Sequence, residues 1–303
     1  MSFFKQIFTP AIKKSTHTSL WLLKIILPIS LIVRFLDYFG VLAYLAEFLD
    51  PVFGYLGLPG STAIVFITSI FLPLYAPLAI ITSMSITLRE LTILALMCQI
   101  THNIPVESAI QAKTGTPFWR TATLRIAMSI VVGLVLNLLL PLEMGMPIFV
   151  QTDMAAITSI GGVLLAWLRT SLSIALIIIA IVAVLNVLYG TLLAYNLVDK
   201  LSKGIAPLLK FFGLPQSTGF LWLIGYIVGL AYGGALMVEQ MADGTVSRDD
   251  AKTLNYHLAI SHSVIEDNLL FVALGVSLWW ILGVRLAVAW MVVWCAKLFT
   301  IKN

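Results

Sequence analysis

Residues 91–115 read LTILALMCQITHNIPVESAIQAKTG, and residues 252–275 read KTLNYHLAISHSVIEDNLLFVALG. Each stretch is apolar at both ends and polar in the middle. Of the 303 residues, 60% are hydrophobic and only 11% charged, against about 25% charged in a soluble domain. A chain of this composition cannot hide its apolar surface from water, so its solvent is lipid. The polar middles then fall near mid-membrane. The first holds His102, Asn103 and Glu107, with Pro105 breaking the helix among them. The second holds Ser261, His262, Ser263, Glu266, Asp267 and Asn268. Ionisable groups at that depth are costly unless paired or solvated, and an unwound helix there exposes backbone groups that can bind a ligand.

Around these two stretches lie further apolar runs. Segments near 19–40, 91–112, 121–142, 170–193, 253–275 and 283–300 are long enough to span a bilayer, which takes about 20 residues. Two others, 62–86 and 217–241, are interrupted at their centres, by Pro73 and Pro77 and by Gly229, Gly233 and Gly234. Each arm is then about 15–18 Å of helix, half a bilayer. Both runs are read as re-entrant hairpins, the alternative being a kinked full span. Loop charge separates the two. If the hairpins do not cross, Lys5, Lys113, Arg120, Lys200, Lys203, Lys210 and Lys302 share the cytoplasmic side with both termini. The loop with Glu143 and Asp153 then lies outside. If they do cross, Lys113, Arg120, Lys200, Lys203 and Lys210 move outside, against the positive-inside rule. The start, MSFFKQIFTPAIKKSTHTS, lacks the unbroken apolar run of a signal peptide and reads as an interfacial amphipathic helix.

The chain also repeats itself. Gly57-Leu58-Pro59-Gly60-Ser61-Thr62 recurs as Gly213-Leu214-Pro215-Gln216-Ser217-Thr218, and Thr18-Ser19-Leu20 as Thr170-Ser171-Leu172. At an offset of 160, Ile100-Thr101-His102-Asn103 meets Ile260-Ser261-His262-Ser263, Trp119 meets Trp279 and Arg125 meets Arg285. The matches keep one order along the chain. The expected fold is all-α: a polytopic membrane protein of two repeats, residues 1–150 and 151–303. Each repeat has three spans, a re-entrant hairpin, a broken helix and interfacial helices, at 41–56 and 195–212. Three crossings per copy turn the second copy upside down, the architecture of secondary transporters.

Equivalent His-plus-carboxylate clusters in both copies point to a site on the pseudo-two-fold axis; the plainer reading is that they glue the bundle. The candidate substrate-binding residues are His102, Asn103, Glu107, Ser261, His262, Ser263, Glu266, Asp267, Asn268, Tyr75 and Tyr232, with His102, Glu107, His262 and Asp267 as candidate metal ligands. Tyr75 and Tyr232, at the hairpin tips, either line the site or pack. Arg125 and Arg285, starting the last span of each copy, are expected to snorkel to the interface. His17 and His257 are expected near the membrane surface, solvated. Cys98 and Cys295 lie in apolar runs and do not suggest a disulfide. Neither HExxH, GxSxG nor a phosphate-binding GxxxxGK[ST] occurs, so an enzyme is not expected. The net charge of +4 sits in loops and does not suggest nucleic acid.

The twin pattern of Gly-Leu-Pro-x-Ser-Thr, hairpin, then Thr/Ser-His-Asn/Ser with a carboxylate four or five residues on resembles the Gate, or nucleoside-recognition, domain, once per half. That superfamily includes concentrative nucleoside transporters, the membrane part of bacterial ferrous-iron transporters, and spore maturation proteins A and B. The resemblance implies a midplane site of hairpin tips, around Pro73–Pro77 and Gly229–Gly234, with His102–Glu107 and Ser261–Asn268. The Asn-Glu-Phe-Val-Ala stretch of the nucleoside transporters and the GTPase domain of the iron transporters are missing from this sequence. The leading expectation is a secondary permease for a small polar solute in the inner (plasma) membrane. The His and carboxylate groups would hold a divalent cation such as Fe²⁺ or Zn²⁺, or couple to Na⁺ or H⁺. The alternatives are a nucleoside transporter and a non-transporting scaffold or partner subunit. Homo-oligomerisation stays open.

Overall fold

The computed structural model describes residues 7–148, 159–195, 197, 201 and 204–300. The repeat boundary at 150/151 lies outside them, as do Lys5, Asp153, Lys200, Lys203 and Lys302, whose charges entered the topology argument. The described residues are helical and contain no strand. In the first half run α1 (Thr9–Tyr38), α2 (Val41–Phe53), α3 (Ala63–Phe71), α4 (Tyr75–Ile81), α5 (Leu88–Thr101), α6 (Ile104–Lys113) and α7 (Phe118–Leu139). The second half holds α8 (Ile160–Ala194), α9 (Ala206–Phe211), α10 (Gly219–Ile227), α11 (Leu230–Ala242), α12 (Arg248–Ile260), α13 (Val264–Val272) and α14 (Leu278–Thr300).

Helices α7, α8 and α14 are long and apolar enough to cross a membrane. α1 runs unbroken from Thr9, so the predicted interfacial N-terminal helix and first span form one rod, with Pro10 in the first turn, where no backbone donor is needed. α1 and α8 lie antiparallel. Ser15 Oγ donates to the Val182 carbonyl at 3.2 Å, and Trp167 Nε1 to Ser30 Oγ at 2.9 Å. Arg34, fully buried, donates to Thr170 Oγ1 at 3.3 Å. The segment 47–56 meets α3 at 90°, a turn made through the Gly-Leu-Pro of the repeated motif. Of the predicted interfacial helix at 195–212, the described part is mainly α9.

The two interrupted runs are helical hairpins. α3 and α4 join across Leu72–Leu74 at Pro73, and α10 and α11 join at Val228–Gly229. Gly225 and Gly233 let the second pair touch backbone to backbone: a Cβ on Gly233 would stand 3.3 Å from the Gly225 Cα. Gly229 has φ 101°, and a Cβ there would run into Ser263 Oγ, so glycine is required at that turn.

Both decisive stretches are broken helices. α5 opens on a capping box, Thr87 with Glu90. It ends at His102, and α6 restarts after Asn103, which takes the left-handed conformation with φ 53°. Asn tolerates that conformation better than most residues, and Pro105 falls in the first turn of α6, where its missing N–H costs nothing. The second break lies between α12 and α13 at Ser263, φ 46°, with no proline near. Tertiary contact fixes it. The Ser263 N–H donates to the Gly225 carbonyl at 2.9 Å, as the Asn103 N–H donates to Ser69 at 2.8 Å and Leu72 at 3.1 Å. Each break is thus clamped by the hairpin of its own half.

Candidate functional site

The helix breaks point two imidazoles at each other. His102 Nδ1 bonds to the Gln99 carbonyl at 3.0 Å and His262 Nδ1 to the Leu258 carbonyl at 2.7 Å. A carbonyl oxygen only accepts, so each Nδ1 carries hydrogen and each neutral ring presents the lone pair of Nε2. The two Nε2 atoms stand 3.3 Å apart, with ring centroids at 5.0 Å. Glu107, buried in the first turn of α6, closes the figure: Oε1 lies 3.3 Å from His102 Nε2 and Oε2 3.2 Å from His262 Nε2. With both rings neutral the acceptors repel one another, and a shared cation, a proton on either Nε2 included, relieves that repulsion. These three buried residues could hold a metal ion. Bonds of about 2.0–2.1 Å to nitrogen or oxygen place tetrahedral ligands about 3.3 Å apart; each contact here is near that length, with the two histidines meeting opposite oxygens of the one carboxylate.

Behind each histidine stands an arginine. Both are fully buried and reach into the fold, which corrects the expectation that they snorkel. Arg125 Nε donates to the Ile100 carbonyl and Nη2 to the His102 carbonyl, both at 2.6 Å, while Nη1 lies 2.7 Å from Glu107 Oε2. Arg285 repeats the pattern, donating to the Ile260 carbonyl at 3.4 Å and the His262 carbonyl at 2.6 Å, with Asp267 Oδ2 at 3.1 Å. The cause is the broken helix: carbonyls at a helix end lack intrahelical partners, lipid offers none, and a guanidinium carries five donors in a fixed fork. The arginines act as plugs for the breaks and counter-ions for the carboxylates. Each lies 23 residues after its histidine, the sequence signal that could have tied them to the site.

The other candidates divide. Asp267 is held on Arg285, outside the triangle of His102, Glu107 and His262. Glu266 accepts the Tyr75 hydroxyl, which links the first hairpin to α13. Asn268 Oδ1 accepts from Gln99 Nε2 at 3.0 Å and from Arg285 Nη1 at 3.4 Å. Asn103 and Ser263 serve through their backbones, as the left-handed hinges. Ser261 accepts from Tyr226 at 3.1 Å. Tyr232 is exposed on α11. His17 is exposed as expected, whereas His257 is fully buried, its Nε2 2.6 Å from the Tyr226 hydroxyl and its ring against Phe212. The packing of α10 on α12 encloses it, which the sequence position alone does not reveal. Gln99 and Tyr226 were not anticipated; both sit in apolar runs without a motif.

The family model described as "Nucleoside recognition" (Gate) matches residues 19–116, which include His102, Asn103 and Glu107. The uncharacterized membrane protein YvoD of Bacillus subtilis (strain 168) is 30% identical over 287 residues, covering 94% of this chain and 92% of that protein. No solved structure matches the chain. With a relative this similar along nearly the whole length, and the Gate match across the half that carries His102 and Glu107, the chain belongs to the nucleoside-recognition (Gate) family of membrane proteins.

Proposed function

We propose that this protein is a secondary permease whose cargo is a divalent transition-metal cation, bound by His102, Glu107 and His262. The carrying observation is the convergence of two Nε2 atoms, 3.3 Å apart, on the one Glu107 carboxylate, whose two oxygens stand 3.3 Å and 3.2 Å from them. Two imidazoles and a carboxylate suit a borderline cation such as Zn²⁺ or Fe²⁺ better than Mg²⁺ or Ca²⁺, which prefer all-oxygen shells. In this reading the two halves are inverted repeats with re-entrant hairpins, the triangle lies at the midplane between them, and both termini face the cytoplasm. His102 and Glu107 come from one half and His262 from the other, so the cation bridges elements that move apart when one half rocks against the other.

Arg125 supplies the switch. While it neutralises Glu107, the two carboxylates behind the histidines are each matched, Glu107 by Arg125 and Asp267 by Arg285. A divalent cation at the triangle competes for the Glu107 carboxylate, and the 2.7 Å Arg125 contact must lengthen. Loading therefore loosens α7 from the α5–α6 break. A nucleoside cargo is less well supported, because the carboxylates a ribose would use are engaged: Glu266 with Tyr75, and Asp267 with Arg285.

The test is uptake into proteoliposomes loaded with a metal-sensitive dye. Zn²⁺ or Fe²⁺ entry that His102→Ala and His262→Ala each abolish, with Ca²⁺ excluded, supports the reading. Uptake of uridine or adenosine insensitive to metals, or no flux of either class, overturns it in favour of a nucleoside carrier or a scaffold.

A further inference from the structure

Residues other than the histidines line a second feature of the fold. A cavity of about 1050 Å³ opens between α7, α12 and α14, at the top of the 300–1,000 Å³ range of small-molecule sites. Its walls are apolar: Ala127 and Val131 on α7 and Met291 and Cys295 on α14, all four exposed on the outer surface. The N-terminal half of α7 thus faces the C-terminal half of α14, and the groove they form opens sideways. Two cations line it, Arg120 in the first turn of α7 and Lys252 near the start of α12. An adjoining cavity of about 390 Å³ shares Lys252 and adds Lys297 and Asp249.

Length and charge together name the occupant. From Arg120 to Val131 α7 rises about 16 Å, at 1.5 Å per residue. Half the hydrocarbon core of a bilayer is about 15 Å. The groove thus has the depth of one leaflet, apolar along its length and cationic where Arg120 and Lys252 line it. We infer that it is a binding site for one anionic phospholipid, its phosphate held by Arg120 and Lys252 and an acyl chain laid between α7 and α14. Basic pockets between membrane helices bind anionic headgroups by this chemistry. A zwitterionic lipid of the same chain length would fill the groove but gain little from the two cations. This inference does not depend on the cargo proposed above.

Native mass spectrometry of the full chain in detergent tests it, with phosphatidylglycerol and phosphatidylcholine of identical acyl chains. The native protein should retain phosphatidylglycerol preferentially. Arg120→Ala with Lys252→Ala should weaken that retention about 25-fold, about fivefold for each basic group, and leave phosphatidylcholine unchanged. Neither side chain is buried, so melting in lipid-free detergent should not move. Ala127→Trp, which fills the groove, should weaken both lipids alike. Equal retention of the two lipids by the native protein overturns the inference. So does a lipid preference that survives in the double variant, or an equal loss in Lys13→Ala with Lys14→Ala, exposed residues on α1. Full competition by inorganic phosphate alone also overturns it, since the acyl groove would then contribute nothing.

Discussion

Arg125→Met removes the guanidinium and keeps most of the side-chain volume. Three contacts go with it: the 2.6 Å bonds to the Ile100 and His102 carbonyls and the 2.7 Å ion pair with Glu107. Removing one member of a buried ion pair costs about 3–5 kcal/mol, and a buried acceptor left unsatisfied costs about 1–3 kcal/mol. The terms overlap at one residue and do not simply add, so the expected loss is about 5 kcal/mol. Adding Glu107→Gln removes the stranded charge and should recover about 2 kcal/mol, while the two carbonyls stay unpaired. Cys98 supplies a local readout. It is fully buried, and its carbonyl accepts from the His102 N–H at 2.8 Å, beside the break. In a Cys295→Ser background, a thiol-reactive dye followed on heating reports the opening of α5. At about 2–4 °C per kcal/mol for a chain of this class, Arg125→Met should label at least 10 °C earlier, and the double variant should lie between it and the parent. Parent-like labelling of Arg125→Met would refute the view that Arg125 holds the break. A double variant worse than the single would refute the charge argument.

Tyr75→Phe leaves Glu266 without its hydroxyl partner; it should lower thermal stability by about 1–3 kcal/mol, read from the same melting curve, and should raise proteolysis at the α3–α4 turn. Gly229→Ala, at φ 101° and against Ser263 Oγ, should cost more than about 1 kcal/mol. Gly283→Ala, within α14 with open space around it, should be neutral or stabilise by up to about 1 kcal/mol, so the pair of melting shifts separates required from incidental glycine. Asn255 Nδ2 donates to the Thr114 carbonyl at 3.1 Å, to Thr114 Oγ1 at 2.8 Å and to Thr116 Oγ1 at 3.1 Å. Asn255→Leu keeps the size but strands those partners. It should destabilise by about 2 kcal/mol or more, and hydrogen exchange should quicken over 111–116.

What the sequence by itself determined is what local chemistry controls. An apolar composition put the chain in lipid, and lipid demands self-satisfied helices. Prolines and glycines at the centres of two runs made hairpins, and the polar middles of 91–115 and 252–275 marked where helices would break. The repeated Ile-Thr/Ser-His pattern set His102 and His262 at equivalent places in the two halves of the sequence. What only the tertiary structure decided is which side chains meet. An arginine near a helix start is long enough either to reach the interface or to turn inward. Unpaired carbonyls at the breaks, brought within reach by the packing of α7 on α5 and of α14 on α12, turned Arg125 and Arg285 inward. The same packing drew Asp267 onto Arg285 and left Glu107 as the carboxylate facing both histidines. It buried His257 against Tyr226 and formed a left-handed break at Ser263 without a proline. Composition and periodicity act over a few turns of helix, whereas the two imidazoles, 160 residues apart, meet only because two halves of the chain fold against each other.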